Sequence, residues 1–241
     1  MLTQEDREQI REKGISEEQI DRQLKCFEQG FPYLRLKEAA SAGKGIVTPT
    51  EEETEELADR WNTYRAEWHN ITKLVPASGA ASRMFKDLFA FLDAEYDVPT
   101  TDFEKKFFGN IHDFAFYDAL NDACFLNHGK GVDALVEDGE YKQVAESLLS
   151  DEGLGYGFLP KGLLQFHSYD DCARTPVEEH LAEAASYASS QGETNVHFTV
   201  SEAHRELFRE LMDRVLPEAE DRYHIHYNVT MSEQKPSTDT V

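Results

Sequence analysis

Apolar residues recur at helical spacing along most of this chain and give way to strand-like runs in only three places. Thr3 can cap a first helix that stops at Gly14. Ser16-Glu17-Glu18-Gln19 forms a capping box, with Ile20, Leu24 and Phe27 one turn apart behind it, and Gly30 and Pro32 end that helix. Ser41 to Pro49 reads as a loop. Thr50-Glu51-Glu52-Glu53 is a second capping box, and the helix behind it presents Leu57, Trp61, Tyr64 and Trp68 on one face, with the tryptophans as packing anchors. The acidic cluster Glu51 to Glu56 reads as a solvated first turn favoured by the helix dipole. Residues 1–70 are therefore expected to be an N-terminal helical extension.

The pattern changes at Ile71 to Val75, a short apolar run broken by Thr72 and Lys73 that predicts a strand. Ala77 to Ser82 are all small. Met84, Phe85, Leu88, Phe89 and Leu92 then return to helical spacing. Residues 93–155 continue it through Phe103, Phe107, Ile111, Phe114, Leu120 and Phe125, then Val132 to Val136 and Tyr141 to Leu149. This predicts a helical insertion with the aromatics as its core. Gly153, Gly155 and Gly157 mark a loop. Thr175-Pro176-Val177-Glu178 starts another helix, with proline at its first position. Val196 to Val200 predicts a second strand, Ser201 to Pro217 a helix, and Tyr223 to Val229 a third strand. Strands alternating with helices predict an α/β fold with a mainly parallel sheet and right-handed crossovers.

The chain has 241 residues, 40% of them hydrophobic, which suffices for one sizeable domain beside the extension. It has no apolar run long enough to span a membrane, and its charged N-terminus is not a signal peptide. Three scattered cysteines, Cys26, Cys124 and Cys172, make neither a disulfide framework nor a metal motif, and point to the cytoplasm. The net charge of -23 argues against nucleic-acid binding, which needs a basic footprint. Any phosphate site must then be a local positive exception, for which Lys73, Arg83, Lys86 and Lys161 are the candidates. His224 and His226 alternate on the third predicted strand. They are either a metal pair or part of a partly exposed strand face, and no third ligand is identifiable.

A strand, a small-residue loop and a helix are how α/β proteins offer backbone N–H groups to an anion. Small side chains admit close approach, and Arg83 would add a forked cation. The stretch Ala77-Ser78-Gly79-Ala80-Ala81-Ser82-Arg83-Met84 resembles the nucleotidyltransferase signature A-x-G-x-G-[ST]-R-[ML] of enzymes that make nucleotide sugars, with Ala81 in place of the second glycine. Pro160-Lys161-Gly162-Leu163-Leu164 resembles the second signature, P-K-x-[LM]-[LV], and Gln234-Lys235-Pro236-Ser237-Thr238 resembles the Q-x-x-P-G-T segment of UDP-sugar pyrophosphorylase-like enzymes, with Ser237 for glycine. The whole chain also resembles a bacterial family called domain of unknown function 4301, which implies no activity.

The nucleotidyltransferase resemblance covers residues 71–241 apart from the insertion. It implies a three-layer sandwich of the nucleotide-diphospho-sugar transferase type. It also implies attack of a sugar 1-phosphate on the α-phosphorus of a nucleoside triphosphate, releasing pyrophosphate. Arg83 and Lys161 would neutralise phosphate charge. Ala77, Ser78, Gly79, Ala80, Ala81 and Ser82 would line the phosphates. Gln234 would read the base, beside Ser237 and Thr238. Mg²⁺ would bridge the phosphates, its ligands expected beyond residue 241, so the domain is expected to be partial here. The alternative is a nucleotide- or sugar-nucleotide-binding module without catalysis, and a blander one is an interaction domain without nucleotide.

Overall fold

The computed structural model describes residues 2–67, 69–170 and 172–234. The chain divides into two compact units, Met1–Tyr64 with Gln234–Val241, and Arg65–Glu233.

In the first unit, α1 (Gln4–Glu12) begins where the Thr3 side chain accepts from Asp6 N and Asp6 accepts in return from Thr3 N at 2.7 Å. The second helix, α2 (Glu17–Gln29), is capped by the Ser16 side chain and stops at Gly30, whose φ of 71° suits glycine. Two-residue strands β1 (Ser41–Ala42) and β2 (Gly45–Ile46) interrupt the expected loop. In α3 (Glu51–Ala66), Thr50 N donates to Glu53 at 2.8 Å and Glu53 N to Thr50 at 3.2 Å. Helical spacing puts Leu57, Trp61 and Tyr64 on one face, and Trp61 stacks on Tyr64 at 5.7 Å. All three are nevertheless exposed, and none of α1, α2 and α3 has a buried residue. Trp68 lies outside the described residues.

The second unit starts with β3 (Thr72–Pro76) and the small-residue loop, then α4 (Lys86–Asp93), α5 (Asp102–Gly109), α6 (Tyr117–His128), α7 (Val132–Glu137) and α8 (Tyr141–Leu149). The segment 93–155 is thus largely helical, as its periodicity predicts. Its core joins Leu88 and Phe91 of α4 to Phe107, Phe108, Leu120, Leu135, Val144 and Leu148. Buried Glu104 fixes the start of α5, accepting from Thr101 N at 2.9 Å and from Tyr96 Oη at 2.9 Å. These bonds outweigh its burial and hold its pKa below the usual glutamate value.

The hairpin β4 (His167–Ser168) and β5 (Ala173–Arg174) then leads into α9 (Pro176–Tyr187), β6 (Ser189–Ser190), β7 (Glu193–Val200), α10 (Arg205–Tyr223) and β8 (His226–Glu233). Strands β3 and β8 flank β7 and run parallel to it, Val75 opposite Phe198 and Phe198 opposite Met231. β6 folds back antiparallel onto β7 through Gln191 and Gly192, both with positive φ, as the tightest hairpins require. On β7, Thr194, Val196, Phe198 and Val200 alternate inward. The three apolar residues pack against Val177, Leu181 and Ala184 of α9 and Phe208, Leu211, Met212 and Val215 of α10.

Within this unit helices of the described residues cover one face of the sheet, which is mixed. On the other face Asn195, His197 and Thr199 are half-buried and Asn228, Thr230 and Ser232 exposed. Next, α10 does not end at Pro217 but runs to Tyr223, since Ala219 and Tyr223 still pack on the sheet core. Finally, His224 is the left-handed cap of that helix, with φ 55°, and only His226 stands on β8. The two do not alternate on one strand. His226 Nδ1 bonds to Glu220 at 2.7 Å.

Gly153 shows how tightly the insertion closes. A Cβ there would stand 1.9 Å from the carbonyl oxygen of Ser147 in α8, whereas one at Gly109 would meet nothing within 4 Å. Gly153→Ala should destabilise the protein by about 1–3 kcal/mol, and Gly109→Ala by much less. Thermal unfolding checks this, and equal melting temperatures for the two variants would contradict the closure described.

Candidate functional site

The carboxyl ends of parallel strands are where open α/β sheets place ligands, because the loops there connect to helix N-termini. Here β3 reaches that edge at Pro76, and Ala77 N extends the ladder by donating to Thr199 O at 2.8 Å. The chain then leaves the sheet as Ser78 to Phe85. About 80 residues later it returns as Leu159-Pro160-Lys161 and docks on that loop. Lys161 N donates to Gly79 O at 3.0 Å, and Ala81 N donates to Leu159 O at 3.2 Å. The two bonds make an antiparallel bridge between Ala80 and Pro160. A 3-10 turn, Lys161–Leu163, follows and packs against α9.

Between these parts lies a pocket of about 160 Å³, lined by Pro76, Gly79, Lys161, Gly162, Pro176 and His180 among others. Pro176 opens α9, whose first turn is held by a capping box: Thr175 N donates to Glu178 at 2.7 Å and Glu178 N to the Thr175 hydroxyl at 3.4 Å.

The structure sorts the expected phosphate-lining residues into two groups. Ala77 and Ala81 face inward, Ala81 with 0% exposure, and both spend their N–H on backbone carbonyls, those of Thr199 and Leu159. Ser78 is half-buried, while Gly79, Ala80 and Ser82 are exposed. The N–H groups of these last three donate to no acceptor among the described residues. Arg83, Lys86 and Lys161 are exposed, and their side chains make no ion pair or hydrogen bond among the described residues. Arg83 stands on a turn, because α4 begins only at Lys86 with no side-chain cap. Gln234 is the last described residue and follows the end of β8. Ser237 and Thr238 lie outside the described residues.

Lys73 does not belong to the free cations. It points at α9 and donates to Glu183 and to the Tyr187 hydroxyl, over whose ring its ammonium sits at 4.6 Å. Burial pushes the Lys73 pKa down, but the bonds from Glu183 and Tyr187 outweigh it, so the net shift is upward. Glu183 also accepts from His180 Nδ1 at 3.0 Å. The Lys73 bond, then the His180 bond, lower the Glu183 carboxyl to about 2. His180, which lines the pocket, was not marked by any sequence motif. The signal available was its position one turn inside a helix whose Thr-Pro start was recognisable.

Two carboxylates of α9 are already engaged, Glu178 by the helix cap and Glu183 by Lys73 and His180. The side chains lining the pocket that can donate are the Lys161 ammonium and the His180 imidazole. Such a set suits an anion and not a protein-held divalent cation. No group of three or more His, Cys, Asp or Glu placed to hold a metal exists among the described residues, and no described helix is long and apolar enough to cross a membrane.

Fold and site together define an α/β protein with a small-residue loop at the carboxyl edge of the parallel strands of a small mixed sheet. The chain belongs to the family described as Domain of unknown function (DUF4301), whose family model matches residues 3–241. No curated protein and no solved structure matches it.

The Glu183 cluster has a pH signature. Its folded pKa, about 2, lies below the ordinary 4.5, so its contribution to stability is complete above about pH 4.5 and is lost as pH falls toward 2. Glu183→Gln should lower the melting temperature at neutral pH, and the gap from wild type should close below about pH 4.5. A gap that stays constant down to about pH 3 would show that the Lys73–Glu183 contact does not contribute as described.

Proposed function

We propose that this protein binds a nucleoside triphosphate or a sugar nucleotide through Ser78 to Arg83 and Lys161, as a nucleotidyltransferase-like domain. The observation that carries the reading is the bridge between Gly79–Ala81 and Leu159–Lys161. It joins two segments that each resemble a nucleotidyltransferase signature, and sets them at the carboxyl edge of a parallel sheet with unpaired cations on both sides. In a chain of net charge -23, unpaired cations beside open N–H groups form a local exception suited to phosphate.

In the reaction proposed, a sugar 1-phosphate oxygen attacks the α-phosphorus of the triphosphate. The bond between the α-phosphorus and the bridging oxygen breaks, and pyrophosphate leaves. The protein's part is positioning and charge neutralisation. Gly79, Ala80 and Ser82 donate N–H groups, Arg83 supplies a fork, and Lys161 meets the phosphate chain. The strand order β3-β7-β8, consecutive and parallel, supports a sheet of the nucleotide-diphospho-sugar transferase type. The same reading places the protein in the cytoplasm, where nucleotides are abundant.

A second reading, binding without catalysis, is favoured by Ala81. It stands where the signature has its second glycine, and its N–H is used to hold Leu159 rather than left open to a triphosphate.

Calorimetry with UTP and with UDP-glucose tests binding. Lys161→Ala should weaken it roughly 10- to 100-fold, the value of one charge-assisted bond. Stability should change by less than about 0.5 kcal/mol, since the side chain is exposed. Pyrophosphate release from UTP, a sugar 1-phosphate and Mg²⁺ selects transfer, and binding without release selects the binding module. A wild type that binds neither nucleotide overturns both.

A further inference from the structure

Besides Lys161, one titratable side chain among the described residues lines the pocket, the half-exposed His180. Its Nδ1 lies 3.0 Å from Glu183 Oε2. A carboxylate only accepts, so Nδ1 carries a proton, and Nε2 is the nitrogen left for a ligand. Glu183 is itself fixed by Lys73, which reaches across from β3. Lys73, Glu183 and His180 thus form a chain from the sheet to the wall of the pocket.

We propose that His180 is a ligand-contacting residue of this pocket, oriented by Glu183 and Lys73 so that its Nε2, when protonated, donates to the pyrophosphate diester of a sugar nucleotide. The inference rests on the phosphate-binding reading above and adds to it a residue, a protonation state and a ligand class. Neutral imidazole would present a lone pair at Nε2, which phosphate oxygens do not accept; imidazolium presents N–H and a positive charge. The charged and titratable groups around His180 are Glu183, bonded to it directly, Lys73 on β3 and Tyr187 on α9, linked through Glu183, and Lys161, which lines the same pocket. Glu183, lowered to about 2, stays ionised at any pH near neutrality, and Lys73, raised from its ordinary value, stays charged. Histidine is the side-chain type whose charge change falls between about pH 5 and 8. A pyrophosphate diester keeps its own charge over that range, so a pH dependence of binding reports the protein.

The experiment measures UDP-glucose affinity by calorimetry at about pH 5.5 and about pH 8, for wild type, His180→Gln and Lys161→Ala. Wild type should bind about tenfold more weakly at the higher pH, the value of one charge-assisted bond. His180→Gln should bind with nearly equal affinity at both values, and Lys161→Ala should be weaker at both while keeping the wild-type slope. Melting temperatures of the variants confirm folding. If His180→Gln keeps the wild-type slope, His180 is removed from the site, while a weakened Lys161→Ala would leave the phosphate reading standing. If wild type does not bind UDP-glucose at either pH, this inference and the sugar-nucleotide form of that reading fall together.

Discussion

The two hydrogen bonds that tie Gly79 and Ala81 to Leu159 and Lys161 are the constraint on which the rest of this structure depends. They close a loop of about 80 residues, and closing a loop of that length costs entropy that two backbone bonds alone do not offset. The helices within the loop offset it. Leu88 and Phe91 of α4, on one side of the bridge, share a core with Leu148 and Tyr156 on the other, so the insertion's packing brings the bridge together. The site is thus held from two directions, by the sheet core under β3 and β7 and by the insertion core. This gives a physical reason for a large helical segment in the middle of what would otherwise be a short strand–loop–strand unit.

Charge is organised around the same place. Acidic residues outnumber basic ones by 47 to 24, so a cation near this loop would be expected to find a carboxylate. Lys73 does, while Arg83 and Lys161 find none among the described residues. Glu178 and Glu183 on α9 are turned to a helix cap and to Lys73 with His180.

Much of the element plan was legible in the sequence because it rests on local rules. The capping residues Thr3, Ser16, Thr50 and Thr175 start the helices they announce, and the alternation of Val196, Phe198 and Val200 marks the central strand. The approach of Lys161 to Gly79 was expected only through the resemblance of two separated motifs, since no local pattern encodes it. What was not legible depends on tertiary packing. The end of α10 was misplaced because Pro217 reads as a stop, while burial of Tyr223 carries the helix on. Pairing Lys73 with the free cations failed because its partner, Glu183, lies 110 residues away. His180 carries no motif at all, and only the docking of α9 against β3 brings it to the pocket.

The central claim is that phosphate meets the open N–H groups of Gly79, Ala80 and Ser82. Amide chemical shifts of these residues during titration with UTP test it most directly. The account predicts that these three amides move in a saturable way, together with Lys161, while Ala77 and Ala81, whose N–H groups are already bonded, move much less. Saturable shifts confined to residues away from this loop, with the three amides unmoved, would contradict it.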